Sequence, residues 1–105
     1  MFARTTMAEL DPVRMSVDDA VRVFKESVIP ALHKQDGYEG SYVFVASEGK
    51  ALVLTFWSTE EAADEGIASG FYDDQLAKFV TIYRSERGRE IYELVLAEAP
   101  ALTIG

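Results

Sequence analysis

Apolar and polar positions recur along this chain with two periods, and the switches between them mark its elements. Phe2–Leu10 (FARTTMAEL) is a short run with Phe, Thr and Met that ends at Asp11-Pro12, a pair that breaks regular structure; it predicts a first strand. From Val17 the spacing turns helical. Val17, Val21, Phe24, Val28 and Leu32 fall on one side, and Arg22, Lys25 and Glu26 on the other. Ser16 supplies an N-cap, with Asp18 and Asp19 in the first turn, where the helix dipole favours negative charge. Pro30 lacks an N–H and its ring clashes with the preceding turn, so a kink or an early stop is expected there. Gly37 closes the segment.

Two β-rich runs follow, Tyr38–Ala46 and Ala51–Trp57, joined by Ser47-Glu48-Gly49-Lys50. A short Gly-containing connection between such runs predicts a β-hairpin. Alternation puts Tyr38, Tyr42 and Phe44 on one face of the second strand and Val43 and Val45 on the other. The third strand has Leu52, Leu54 and Phe56 on one face and Val53, Thr55 and Trp57 on the other. Both faces are apolar, so both call for cover. Two helical regions on one side cover one face and leave the other for a partner or a cavity.

After Trp57, Ser58-Thr59-Glu60-Glu61 has the form of a capping box, with the Ser58 hydroxyl accepting from the Glu61 N–H. Glu60–Ser69 predicts a short acidic helix with Ala62, Ala63 and Ile67 as its apolar side, weakened by Gly66 and broken near Gly70. The run Glu60, Glu61, Asp64, Glu65 reads as its solvated face. A second helical piece starts near Phe71, with Tyr72, Leu76, Phe79, Val80 and Tyr83 as its stripe and Arg84 at its end. Ser85–Arg89 reads as a polar loop, Glu90–Glu98 as the last strand, and residues 99–105, with Pro100, as a tail beyond a single domain over residues 1–98. The order is β-α-β-β-α-β, an α+β, ferredoxin-like split βαβ with an antiparallel sheet.

Composition narrows the function. A length of 105 residues suits one domain that buries roughly two-thirds of its unfolded surface without staples. The absence of Cys removes disulfides, thiolate nucleophiles and sulfur ligands, and fits a reducing compartment. Met1-Phe2-Ala3-Arg4-Thr5-Thr6 has no signal-peptide character, and no apolar run approaches the roughly 20 residues of a membrane span, so a cytoplasmic location without membrane contact is expected. A net charge of −8 without a basic stripe argues against nucleic acid as a partner.

Pro30 late in the first helix, then Gly37-Tyr38-Glu39-Gly40, then a strand closing on Trp57 before Ser58-Thr59-Glu60-Glu61-Ala62, resembles the antibiotic biosynthesis monooxygenase domain of the dimeric α/β-barrel superfamily. The resemblance spans about residues 2–98 and rests on strand, Gly and Trp positions rather than a catalytic signature. It implies a subunit whose sheet packs on a partner's sheet to form a dimeric α/β barrel. It also implies a cavity between each sheet and its own helices. Trp57 matches the tryptophan that family oxygenases place in that cavity; its plainer role is a core aromatic closing the strand. Tyr72 is paired with it as a catalytic candidate, and Tyr72 and Tyr83 offer phenolic hydroxyls to a bound substrate, although such a stripe is also ordinary core. Thr5, Thr55 and Arg4 are strand residues able to point into the cavity, and Phe24, Leu76 and Phe79 would supply its apolar wall. His33, the only histidine, stands near a helix end with no second ligand or nucleophile and reads as solvated.

The departures from the family are informative. Its polyketide oxygenases use an Asn in the cavity, and this chain has none. Its haem degraders carry a His on the second helix, where this chain has Gln75-Leu76-Ala77-Lys78-Phe79-Val80, so haem lacks an axial ligand. No phosphate loop, nucleophile elbow or metal-spaced carboxylate set is present, and no cofactor or metal is expected. Two functions remain. One is a cofactor-independent monooxygenase of a small aromatic, quinol- or polyketide-like substrate, in which a phenolic anion passes an electron to oxygen. The other is a non-catalytic dimeric module of the same fold that binds a small ligand or serves as structure.

Overall fold

The structure, a computed structural model, describes residues 1–84 and 91–100. Its elements run β1 (Phe2–Leu10), α1 (Val17–Val23), a π turn (Phe24–Val28), α2 (Ile29–His33), β2 (Tyr38–Val45), β3 (Lys50–Trp57), α3 (Glu60–Ala68), α4 (Phe71–Leu76), β4 (Thr81–Arg84) and β5 (Ile91–Glu93). The strands form one antiparallel sheet in the order β2-β3-β1-β4, with β5 also paired to β1. β3 takes one edge of β1 from Phe2 to Glu9. On the other edge β4 takes Ala8–Leu10 and β5 takes Phe2–Arg4, so the last strand of the βαββαβ order is met in two pieces. This is the expected α+β, ferredoxin-like fold.

The first helical segment starts where its sequence dictates, with the Ser16 hydroxyl accepting from the Asp19 N–H at 3.1 Å. It does not stop at Pro30. Ahead of the proline the Ile29 N–H reaches back five residues to the Phe24 carbonyl, and the helix continues to His33. The wider turn takes up an extra residue next to the one that cannot donate. That insertion rotates the inward stripe. Val28 and Leu32 are buried after it, whereas before it Ala20 is buried and Val21, expected to point inward, is 46% exposed.

The hairpin turns through Ser47–Gly49, with Glu48 and Gly49 at positive φ, and the Ala46 N–H closes on the Lys50 carbonyl at 2.7 Å. Its register holds one surprise. Tyr38 pairs with Trp57 but Gly40 pairs with Phe56, so a bulge lies at Glu39. The extra residue moves Tyr38 off the face of Tyr42 and Phe44, where plain alternation would put it, and onto that of Trp57. Gly40, at φ 144°, provides the backbone for this irregularity.

Three further boundaries differ from the sequence pattern. Thr59, not Ser58, caps α3 and accepts from the Ala62 N–H at 3.1 Å, because the Ser58 N–H is already bonded to the Gly37 carbonyl at 2.8 Å. α4 stops at Leu76, and the β-branched run Val80-Thr81-Ile82 leads into a strand along β1, with the Asp11 N–H bonded to the Val80 carbonyl at 2.9 Å. Tyr83 and Arg84 therefore stand on β4 rather than on a helix. β5 ends at Glu93, because β1 begins at Phe2 and offers nothing past the Met1 carbonyl, which accepts from Leu94 at 2.9 Å. The expected loop Ser85–Arg89, Glu90 and the end of the tail, residues 101–105, lie outside the described residues.

Pairing across the sheet assigns its two faces. Arg4 and Thr6 share a face with Thr55 and Trp57, and on this side Trp57 packs with Val28, Leu32 and Ala63 from the helices. Thr5 and Met7 share the opposite face with Leu52, Leu54, Tyr42 and Phe44. Among the described residues no helix covers that second face, and Met7, Phe44, Tyr83 and Tyr92 on it are at least half exposed.

Gly37 holds the helical layer to the sheet. It sits at φ 81°, and a Cβ there would lie 2.7 Å from Ala62 Cβ and 2.9 Å from Ser58 Oγ. Gly37→Ala is expected to lower stability by roughly 2–4 kcal/mol through backbone strain plus overlap. Gly70→Ala is the matched control. It has the same φ with nothing within 4 Å of the added methyl, and it should lose only about 1–2 kcal/mol. Urea unfolding of both variants checks this; equal losses would show that the close approach of Ala62 carries no energy.

Candidate functional site

The layer between sheet and helices is not purely apolar around Trp57. Trp57 ends β3, buried, with its ring edge-to-face on Tyr38 at 5.6 Å between centroids. Thr55, two residues earlier on the same face, accepts the indole Nε1–H at 3.0 Å. Opposite Thr55 in the register stands Arg4 of β1, and two residues beyond Arg4 is Thr6, whose hydroxyl bonds the Tyr72 hydroxyl at 2.5 Å. Tyr72 comes from the first turn of α4, so β1, β3 and α4 all contribute to one polar seam.

Arg4 is the unusual member. Its side chain is 3% exposed, and Nε, Nη1 and Nη2 are all buried without a hydrogen-bond partner. Its guanidinium carbon lies 5.6 Å from the centroid of the Tyr72 ring, within range of a cation–π contact. Asp64 of α3 approaches to 3.8 Å, an ion-pair distance too long for a hydrogen bond, and Asp64 is itself 64% exposed. Burial pushes the Arg4 guanidinium below its ordinary value, and Tyr72 and then Asp64 offset this in part. A buried cation with such incomplete compensation carries a desolvation penalty on the order of several kcal/mol.

The residues singled out by sequence divide accordingly. Trp57, Thr55 and Tyr72 lie on the helix side together with Arg4. Phe24 and Phe79 pack against the cluster that contains Trp57, and Leu76 is half-buried on α4, one turn beyond Tyr72. Thr5 and Tyr83 do not belong with them. Thr5 pairs with Leu54 and Tyr83 with Glu9, which puts both on the opposite face of the sheet, and Tyr83 is largely exposed there. The reason is the alternation itself: Arg4 and Thr5 are neighbours on one strand and cannot face the same way. The residue that accompanies Arg4 is Thr6, which strand parity alone would have picked out. Asp64, read as part of a solvated acidic face, is largely that, but it also reaches Arg4. His33 is exposed and contacts the Tyr38 ring edge-on at 5.3 Å. Among the described residues no group of three or more His, Asp or Glu side chains is placed to hold a metal ion, and no helix is long and apolar enough to cross a membrane.

Comparison with known proteins identifies the backbone. No family model matches the chain, and no curated protein matches it. Solved structures do match. The Mycobacterium tuberculosis protein Rv0793 is 18% identical with a TM-score of 0.61, over 94% of this chain and 98% of that one. NE2512 of Nitrosomonas europaea, a protein of unknown function, is 16% identical with a TM-score of 0.64, over 95% and 94%. A Bacteroides thetaiotaomicron protein named as a "putative antibiotic biosynthesis monooxygenase" is 15% identical with a TM-score of 0.56, over 99% and 95%. The chain shares the fold of these structures across nearly its whole length.

Proposed function

We propose that the protein is a cofactor-independent monooxygenase of a small aromatic, quinol- or polyketide-like substrate bound between the sheet and its helices. The observation that carries this reading is the polar seam of Arg4, Thr6, Thr55 and Tyr72 beside Trp57, in a layer that a purely structural domain would fill with apolar side chains. In such chemistry the phenolic substrate loses a proton and its anion passes an electron to oxygen. The protein's part is to exclude water and to hold the anion with oriented donors. Trp57 forms a wall of the site and positions Thr55. The Thr55 hydroxyl accepts from the indole and keeps its own O–H to donate. Tyr72, bonded to Thr6, stands on the other side of Arg4.

A second reading is a non-catalytic module of the same fold. It is favoured by the fact that both the Trp57 N–H and the Tyr72 hydroxyl are already engaged within the chain. Oxygen uptake separates the two. Purified protein free of metal and flavin should consume oxygen with anthrones, hydroquinones or catechols above their autoxidation. Trp57→Phe should lower that turnover about 10- to 100-fold while the fold persists, since the change keeps the bulk and frees Thr55 from its donor. No uptake by wild type would leave the binding module standing. Unchanged uptake in Trp57→Phe would remove Trp57 from the mechanism.

The quaternary state belongs to the same proposal. The open sheet face carries Met7, Phe44, Tyr83 and Tyr92 as a contiguous apolar patch of a kind monomers rarely tolerate, and a second copy placed face to face would cover it. Val43 and Val45, on the helix-side face of β2, are exposed as well, so the end of the hairpin is left open on both sides. Light scattering coupled to size exclusion is expected to give twice the 11.7 kDa chain mass. A monomer at micromolar concentration would overturn the dimer.

A further inference from the structure

We infer that this site takes an aromatic ligand bearing a carboxylate, and that the Arg4 guanidinium receives its charge. The inference rests on the proposed site between sheet and helices and assigns its substrate class. Three observations carry it. Among the described residues Arg4 is the charged side chain that is buried, and none of its three nitrogens has a hydrogen-bond partner. Its carboxylate neighbour among the described residues, Asp64, stays largely in solvent at 3.8 Å and leaves the donors of the planar fork unbonded. The groups around it, Thr55 across the register and Tyr72 above, are hydroxyl-bearing side chains committed to Trp57 and Thr6, so none of them supplies the missing negative charge.

Such a cation is held by its β1 position and by packing. A carboxylate within reach would turn the penalty into charge-assisted, bidentate bonding, which a neutral quinol cannot supply. The chain's net charge of −8 gives an anion little reason to settle elsewhere.

Titration calorimetry on the whole chain tests this with matched probes: 1-hydroxy-2-naphthoate and salicylate against 1-naphthol and catechol. Wild type should bind the acids at least about tenfold more tightly than the neutral phenols. Arg4→Met should abolish that preference, and the Tm of the ligand-free protein should hold or rise, because an uncompensated buried charge has been replaced by apolar bulk. Arg4→Lys, which keeps the charge but not the fork, should retain a weakened preference. Equal binding of acids and neutral phenols by wild type, or no binding of either acid, would overturn the inference. So would an Arg4→Met variant whose Tm falls and is restored in Arg4→Lys, which would make Arg4 a structural partner of Asp64. Oxygen uptake without acid preference would sink this inference and leave the oxygenase reading intact; acid preference without oxygen uptake would do the reverse.

Discussion

β1 lies inside the sheet, bonded to β3 along one edge and to β4 and β5 along the other, and its two-residue alternation is the constraint on which the rest depends. With both edges paired, β1 cannot slide or turn over without breaking ladders on two sides. A one-residue slip would send Thr5 and Met7 toward the helices and Arg4 and Thr6 away from them. The observed register does the opposite. It puts an arginine where a ferredoxin-like domain would pack aliphatic side chains, and it leaves a methionine facing outward. The polar seam and the open apolar face are thus two results of one pairing.

The strands and helix starts were legible because local chemistry decides them. Phe2–Leu10 ends at Asp11-Pro12, and Ser16 caps its helix whatever the remainder does. What alternation could not show were single-residue insertions. The bulge at Glu39 moved Tyr38 across the sheet, and the π turn before Pro30 exchanged Val21 for Ala20 on the buried side. In each case one extra residue resets the period, and the apolar pattern on either side reads equally well with or without it. The end of α4 was missed for another reason. Phe79, Val80 and Tyr83 fit a helical stripe, but the free edge of β1 beside Leu10 supplied strand partners that a local reading does not contain. Within the site, Trp57, Thr55 and Tyr72 were accessible from residue type and spacing. The separation of Thr5 and Tyr83 from them needed only parity in the first case, and the true strand assignment in the second.

Fold and chemistry part company in the comparisons. Structures that share 15–18% of their residues with this chain share its backbone over more than nine-tenths of its length. A ladder register survives replacement of most side chains so long as apolar and polar positions alternate in step, whereas the character of a site rests on which residue occupies four or five inward positions. Rv0793 and NE2512 therefore speak to the fold of this chain and not to what Arg4 meets.

The identity of that inward residue changes the chemistry available to the fold. This chain has no Asn, and Arg4 is the buried charged donor that stands across the register from Thr55 and against the Tyr72 ring. A fixed cation in a low-dielectric layer lowers the pKa of any phenol brought against it. His33 is exposed at the helix end, and Asp64, mostly in solvent, meets the guanidinium from outside. With Asp64 at that boundary, Arg4 can take up a proton-free substrate while its own charge remains partly balanced. If the oxygenase reading holds, the electrostatics of the site would be set on binding, and electron transfer from the anion to oxygen would ask of the protein mainly that water be kept out, beside a core in which Trp57 packs with Val28, Leu32 and Ala63.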